Sequence, residues 1–131
     1  MNGALIADML RFDGQPGVTI TSSAERMELR IARSGMIVSI VVPRAALEFF
    51  IEVRNERGVR LIEDWLDYAG FDARPEDQLA EEMRAEVLQF AERLMSRSLR
   101  LAPADGSLEW QSGERWLQAV PFVPDTERRG E

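Results

Sequence analysis

The residues best suited to do chemistry lie in one acidic, aromatic stretch near the middle of the chain. Residues 63–68 are Glu-Asp-Trp-Leu-Asp-Tyr, and Asp72 follows closely. Tryptophan and tyrosine bury large areas, and neighbouring carboxylates attract an opposite charge. The stretch is typical of two arrangements. One is a binding surface for a basic partner; the other is a set of aromatic anchors in the core with solvated carboxylates around them, which is the more common fate of large aromatics.

Asp64 and Asp67 also raise the question of a catalytic or Mg²⁺-binding carboxylate pair. On a strand, positions i and i+3 point to opposite faces, so only a helix or a tight turn would bring the two carboxylates together. No Asp-x-Asp loop, glycine-rich phosphate cradle or EF-hand spacing accompanies them. We therefore predict no catalytic residue, no metal site and no cofactor.

Three residue types that carry much of enzyme chemistry are absent from the chain. All 16 basic side chains are arginine, and the 131 residues include no lysine, histidine or cysteine. This excludes thiolate nucleophiles, disulfides, imidazole bases, histidine-ligated zinc and Schiff-base lysines. Carboxylates, guanidinium groups, hydroxyls, amides and the backbone are left for function, and they favour binding over catalysis.

The negative charge is concentrated in one segment. The formal net charge is −7, but residues 63–92 alone hold ten acidic side chains against two arginines, a local charge of −8. The rest of the chain is close to neutral. A strong local negative field repels nucleic-acid phosphates and anionic lipid and attracts basic surfaces. We therefore expect a basic protein partner, and neither nucleic-acid nor membrane binding.

Period-2 patterns predict the strands that would position this segment. Residues 27–31 and 36–42 form a predicted hairpin around Ser34-Gly35, and 18–21 precede it as another strand. In the next strand Phe50 lies on the polar side, either covered by another element or part of an interface. A return strand begins at residue 59, and its pattern slips near Ile62 or Glu63, as a β-bulge or an early end of the strand would cause. Residues 4–12 fit a strand or a short helix.

One long helix is predicted over residues 75–97, followed by a second hairpin. The apolar residues Leu79, Met83, Val87, Phe90 and Leu94 recur at helical spacing. Residues 107–111 and 115–120 alternate around Ser112-Gly113, which predicts a hairpin with Trp110 and Trp116 as a cross-strand pair. Glu82 and Glu86 form a like-charge i, i+4 pair, whose repulsion would be relieved by a partner, by Arg93 one turn on, or by a sheet arginine such as Arg54 or Arg60.

These elements together predict a single α+β domain over residues 1–120. It comprises an antiparallel sheet of about five to seven strands, with the helix packed on one face. Residues 121–131 are expected to be a flexible tail. The N-terminal residues lack the pattern of a secretory signal and no apolar run is long enough to span a bilayer, so we expect a cytoplasmic protein. The sequence leaves the oligomeric state open and allows a homodimer.

Two functions follow from the sequence. The first is a non-enzymatic acidic interaction protein that docks to or neutralises a basic partner, for example a bacterial immunity protein or antitoxin that blocks a toxin. The second is a small-ligand protein or enzyme that uses carboxylates and arginine, such as Asp64, Asp67 and Arg60, at a sheet-edge pocket. The residues predicted to bind the partner are Asp64, Trp65, Asp67, Tyr68, Asp72, Glu81, Glu82 and Glu86.

Overall fold

The predicted hairpins and the long helix are all present in the computed structural model, which describes residues 2–69 and 73–123. In chain order the elements are α1 (Gly3–Met9), a 3₁₀ turn (Leu10–Phe12), β1 (Val18–Ser22), β2 (Arg26–Arg33), β3 (Met36–Pro43), β4 (Glu48–Asn55), β5 (Arg60–Asp67), α2 (Glu76–Ser96), β6 (Leu99–Leu101), β7 (Leu108–Ser112) and β8 (Arg115–Val120).

The first five strands form an antiparallel sheet in chain order, each paired with the next. In the predicted β2–β3 hairpin Leu29 lies opposite Ile40, and the turn residues Ser34 and Gly35 both have positive φ angles, 54° and 73°. Such angles suit the tight turns whose twist matches that of the flanking strands. The alternation of apolar residues in β2 therefore predicts the register of the β2–β3 hairpin.

The slip in the pattern of β5 is an irregularity in pairing with β4. Val53 lies opposite Ile62 and Arg54 opposite Arg60, so Leu61 is the extra residue. The strand continues beyond it to Asp67. A β-bulge is thus the correct interpretation, one residue earlier than expected, and the predicted early end of the strand is wrong. From Glu63 onward, odd-numbered side chains of β5 share one face of the sheet.

The core lies between the sheet and α2. We call the face of the five-stranded sheet that points toward α2 the inner face, and the opposite one the outer face. The inner face contributes fully buried side chains such as Leu29, Ile40 and Ile51. The buried side of α2 consists of Leu79, Met83, Val87, Phe90, Ala91 and Leu94. This arrangement confirms the predicted α+β fold with the helix on one face of an antiparallel sheet.

A second, three-stranded sheet closes the other side of the core. β6, β7 and β8 pair in that order, and β6 is a three-residue strand that the sequence analysis did not predict. Trp110 on β7 is fully buried and its ring centroid lies 5.6 Å from that of Phe90. Trp116 lies opposite Gln111, not opposite Trp110. The expected Trp110–Trp116 pair is therefore wrong, because a one-residue offset places the two rings on opposite faces.

Both ends of the described chain pack against this core. The ambiguous residues 4–12 form α1 and the 3₁₀ turn, and Leu5, Ile6 and Met9 are buried. At the other end, Phe122 lies within the predicted tail and makes edge-to-face contacts with Phe49 and Phe90. Residues 124–131, the remainder of that predicted tail, lie outside the described residues.

Candidate docking surface on the outer face of the sheet

Six side chains from β4 and β5 form a regular array on the outer face. In the register of these strands Glu48 lies opposite Asp67, Phe50 opposite Trp65, and Glu52 opposite Glu63. Their neighbours Phe49, Ile51 and Val53 are fully buried on the inner face. Because side chains alternate along a strand, the six point away from the core.

Three apolar side chains cross the centre of this array. Val41 on β3 lies opposite Phe50, which lies opposite Trp65. The rings of Phe50 and Trp65 are stacked, with centroids 6.4 Å apart and planes 15° from parallel. Trp65 is nevertheless 56% exposed. We call Val41, Phe50 and Trp65 the aromatic stripe. It is an apolar surface that no helix or strand in the described part of the chain covers.

A pair of opposed carboxylates lies on each side of the aromatic stripe. Like charges directly opposite each other across two strands destabilise a sheet. On one side this repulsion is relieved, because Arg54 bonds Glu52 and Arg60 lies 2.7 Å from Glu63. Glu48 and Asp67 on the other side have no arginine partner among the described residues. This pair therefore carries the uncompensated charge of the array.

Glu48 and Asp67 are held in place by neutral groups. The indole Nε1–H of Trp65 donates to Oε2 of Glu48 at 3.1 Å, which fixes the orientation of the ring across the sheet. The backbone N–H of Ala69 donates to Oδ1 of Asp67 at 3.0 Å. Neither donor carries a positive charge, so neither carboxylate is neutralised. This end of the array therefore combines an oriented indole ring with two negative groups.

An open groove adjoins the aromatic stripe. It has a volume of about 390 Å³, and its lining includes Val41, Pro43 and Phe50 together with Arg26, Glu52 and Glu63. Val41 and Phe50 thus belong both to the groove and to the aromatic stripe.

Asp64, predicted as a partner-binding residue, points to the inner face. It lies opposite the fully buried Ile51. Its Oδ1 accepts from the N–H of Trp65 at 2.9 Å, and its Oδ2 accepts from the N–H of Phe122 at 2.7 Å. Asp64 thus fastens the segment after β8 to the edge of β5. Asp64 and Asp67 do not converge, as the period of a strand requires.

Tyr68 and Glu86 contact each other at the junction of sheet and helix. The Tyr68 ring is half-buried and stacks on Phe49, and its hydroxyl donates to Oε2 of Glu86. Burial of the hydroxyl, together with the hydrogen bond to Glu86, raises the pKa of Tyr68 well above its ordinary value. These two predicted site residues therefore support the packing of α2.

The two remaining described acids of the predicted site lie on α2 and form ion pairs. Glu81 is 3.3 Å from Arg84, which also binds Asp8 of α1. Glu82 is 2.6 Å from Arg74, which relieves repulsion within the Glu82–Glu86 pair. Two of the expected sources of relief, Arg54 and Arg60, instead pair with Glu52 and Glu63. Asp72 lies outside the described residues.

The predicted site thus divides among several parts of the molecule. Trp65 and Asp67 lie on the outer face, Asp64 on the inner face, and Tyr68, Glu81, Glu82 and Glu86 on or beside α2. Glu63 belongs to the predicted acidic segment, but the predicted partner-binding residues include neither it nor Glu48 and Glu52. The position of Phe50 on the polar side of β4 was the signal for them, because cross-strand neighbours of an exposed aromatic belong to the same surface.

The described residues offer no competing metal or membrane site. Comparisons with protein-family models, curated proteins and solved structures find no match. Within residues 2–69 and 73–123, no three acidic side chains are grouped so that they could hold a metal ion. The described helices also include none with the length and apolar character needed to cross a membrane. The array on the outer face is the candidate site that the geometry supports.

The Tyr68–Glu86 contact gives an expected pH dependence. Because the folded state holds the Tyr68 proton more tightly than the unfolded chain does, the unfolded chain ionises first and stability should fall above about pH 10. The chain has one tyrosine and no lysine or cysteine. Tyrosinate absorbance should therefore stay low until the protein unfolds, and urea unfolding between about pH 8 and about pH 11 should show the loss of stability.

Tyr68→Phe is the matched control for this titration. It keeps the ring stacked on Phe49 and removes the ionisable hydroxyl. The decline in stability over the same alkaline range should become much smaller in this variant. A tyrosinate signal that appears at the ordinary tyrosine pKa while the wild-type protein is still folded would contradict the buried hydrogen bond.

Proposed function

We propose that this chain is a non-enzymatic docking protein that binds a basic protein partner on the outer face of its five-stranded sheet. The observation that carries the proposal is an exposed tryptophan, Trp65, stacked on Phe50 and flanked by carboxylates on an uncovered sheet face. An immunity protein or antitoxin that neutralises a basic toxin is one concrete form of such a function.

The composition of the array matches what binding surfaces require. Tryptophan is enriched among the few interface residues that carry most of the binding energy, and such residues lie near the centre of the contact. Charged groups around them steer the approach of an oppositely charged partner and fix its orientation. The aromatic stripe supplies the centre, and Glu48, Asp67, Glu52 and Glu63 supply the charged surroundings.

The helix is a weaker candidate for the docking surface, although it carries much of the acidic segment. Glu81 and Glu82 are paired with Arg84 and Arg74, and Glu86 accepts the Tyr68 hydroxyl. A partner that bound these three acidic side chains would have to displace the contacts. Trp65 needs no such displacement, because its ring is already more than half exposed.

The alternative of an enzyme or small-ligand site built from Asp64, Asp67 and Arg60 has no such support. Asp64 faces inward and bonds two backbone N–H groups, Asp67 faces outward, and Arg60 pairs with Glu63. Reacting groups must converge on one substrate for catalysis. These three side chains diverge, so we retain the docking function alone.

The test is an affinity capture from cells of the source organism with four immobilised proteins. These are the wild type, Trp65→Ala, Asp67→Arg and Glu81→Arg; the last makes the same charge change on α2 and serves as the control. We expect the wild type and Glu81→Arg to retain the same basic protein, and the two outer-face variants to lose it. Equal retention by all four, or retention of no basic protein, would refute the proposal.

A further inference from the structure

The second sheet contains a complete aromatic–carboxylate–arginine arrangement. The guanidinium carbon of Arg100 lies 4.3 Å from the centroid of the Trp116 ring. Its Nε donates to Oε1 of Glu109 at 2.9 Å, and Glu109 lies opposite Arg100 across two strands. A carboxylate thus holds the guanidinium in place over an indole face, where the ring quadrupole attracts a cation.

The buried tryptophan is also associated with guanidinium groups. Arg93 lies in the last turn of α2, and Arg97 directly follows the helix. Their guanidinium carbons lie 5.7 and 5.8 Å from the centroid of the Trp110 ring. Both distances lie within the range of a cation–π contact. Two of the three tryptophans of this chain therefore have arginine over the ring.

Trp65 lies beside carboxylates but, unlike Trp110 and Trp116, has no arginine of the described residues over its ring. Its ring is oriented by the bond to Glu48, one face is stacked on Phe50, and Asp67 lies two residues along the same face of β5. No guanidinium of the described residues lies over this ring. Within the described chain, Oε1 of Glu48 and Oδ2 of Asp67 accept no hydrogen bond, because the bonds present use Oε2 and Oδ1.

We infer that an arginine side chain of the basic partner lies on the exposed face of Trp65 and binds the carboxylates of Glu48 and Asp67. This inference rests on the proposed function and specifies the group that is recognised. Arginine fits better than lysine, since its planar guanidinium stacks on an aromatic ring while its several N–H groups reach two acceptors. Lysine offers a compact, strongly hydrated ammonium group with three N–H donors, but it has no planar group that stacks on the ring. The negative charges of Glu48 and Asp67 favour a positively charged side chain, whether arginine or lysine.

The test uses the full-length protein labelled with ¹⁵N and three short probes. The indole Nε1–H signals of the three tryptophans are followed by NMR, and Trp65→Phe assigns the signal of Trp65. The probes are the capped tripeptides Gly-Arg-Gly, Gly-Lys-Gly and Gly-citrulline-Gly, the last being an uncharged analogue of arginine. The arginine peptide should shift the Trp65 signal, the lysine peptide should bind at least roughly threefold more weakly, and the citrulline peptide should not bind.

Variants test the role of the two carboxylates. Asp67→Asn and Glu48→Gln should each weaken the arginine peptide by roughly threefold or more, while Glu81→Gln on α2 should leave its affinity unchanged. Equal binding of the arginine and lysine peptides would overturn the arginine assignment but not the docking function, which the capture assay decides separately. A Trp65 shift caused by deleting residues 124–131 alone would assign the site to Arg128 or Arg129 of the chain itself and would also overturn it.

Discussion

Replacing Trp110 by alanine is expected to lower the free energy of unfolding by about 3–5 kcal/mol. Trp110 is fully buried between the second sheet and α2, and its ring packs against Phe90. The substitution would leave a cavity between α2 and the second sheet. Chemical denaturation monitored by circular dichroism measures the change, because β-sheet and helix should be lost together.

Trp65 provides a matched control for this substitution. Trp65 is 56% exposed and contacts mainly Phe50 and Glu48. Trp65→Ala should therefore cost no more than about 1 kcal/mol, which is the order of one exposed cross-strand pair. If Trp65→Ala destabilised the protein as strongly as Trp110→Ala, then Trp65 would be a core residue and the outer face would not be a free surface.

Replacing Asp64 by alanine is expected to destabilise the protein by about 2–3 kcal/mol, although Asp64 lies in a highly acidic stretch. The carboxylate accepts from two backbone N–H groups, those of Trp65 and Phe122. Without it, both donors would lose their acceptor, and the segment that carries Phe122 would lose its attachment to β5. Urea unfolding of the purified variant measures the loss.

Asp67→Ala separates this structural role from the proposed binding role. Asp67 is exposed and, among the described residues, accepts a hydrogen bond only from the N–H of Ala69, so its loss should cost less than about 1 kcal/mol. Asp64→Asn keeps one oxygen acceptor and should lose about half as much stability as Asp64→Ala. Similar stability losses for Asp64→Ala and Asp67→Ala would contradict the opposite orientation of these two side chains.

Local patterns were sufficient to predict most of the fold. The five apolar positions of α2 recur at helical spacing, and the strict alternation of Met27, Leu29 and Ile31 sets the register of the first hairpin. Strand β6 was missed because three residues are too few to show a period. The Trp110–Trp116 pair was wrongly predicted, because a one-residue offset within a hairpin inverts the face of a side chain.

The candidate site depended on information that the sequence does not contain locally. The faces of Asp64, Trp65 and Asp67 follow from the bulge at Leu61, and the sequence pattern placed that irregularity one residue late. The acidic segment is continuous in sequence, but tertiary contacts divide it. Arg74 forms an ion pair with Glu82, and the Tyr68 hydroxyl donates a hydrogen bond to Glu86. These contacts show that, in the described part of the chain, exposed aromatic surface and carboxylates without an arginine partner lie together on the outer face of the sheet.

The most direct test of the docking function is the affinity of the captured basic protein for the wild type and for Trp65→Ala, measured by titration calorimetry. A central tryptophan at an interface contributes at least about 2 kcal/mol, so the variant should bind at least roughly thirtyfold more weakly. Glu81→Arg should bind like the wild type, and added salt should weaken both. Unchanged affinity of Trp65→Ala, together with loss of binding in Glu81→Arg, would contradict the account and move the docking surface to α2.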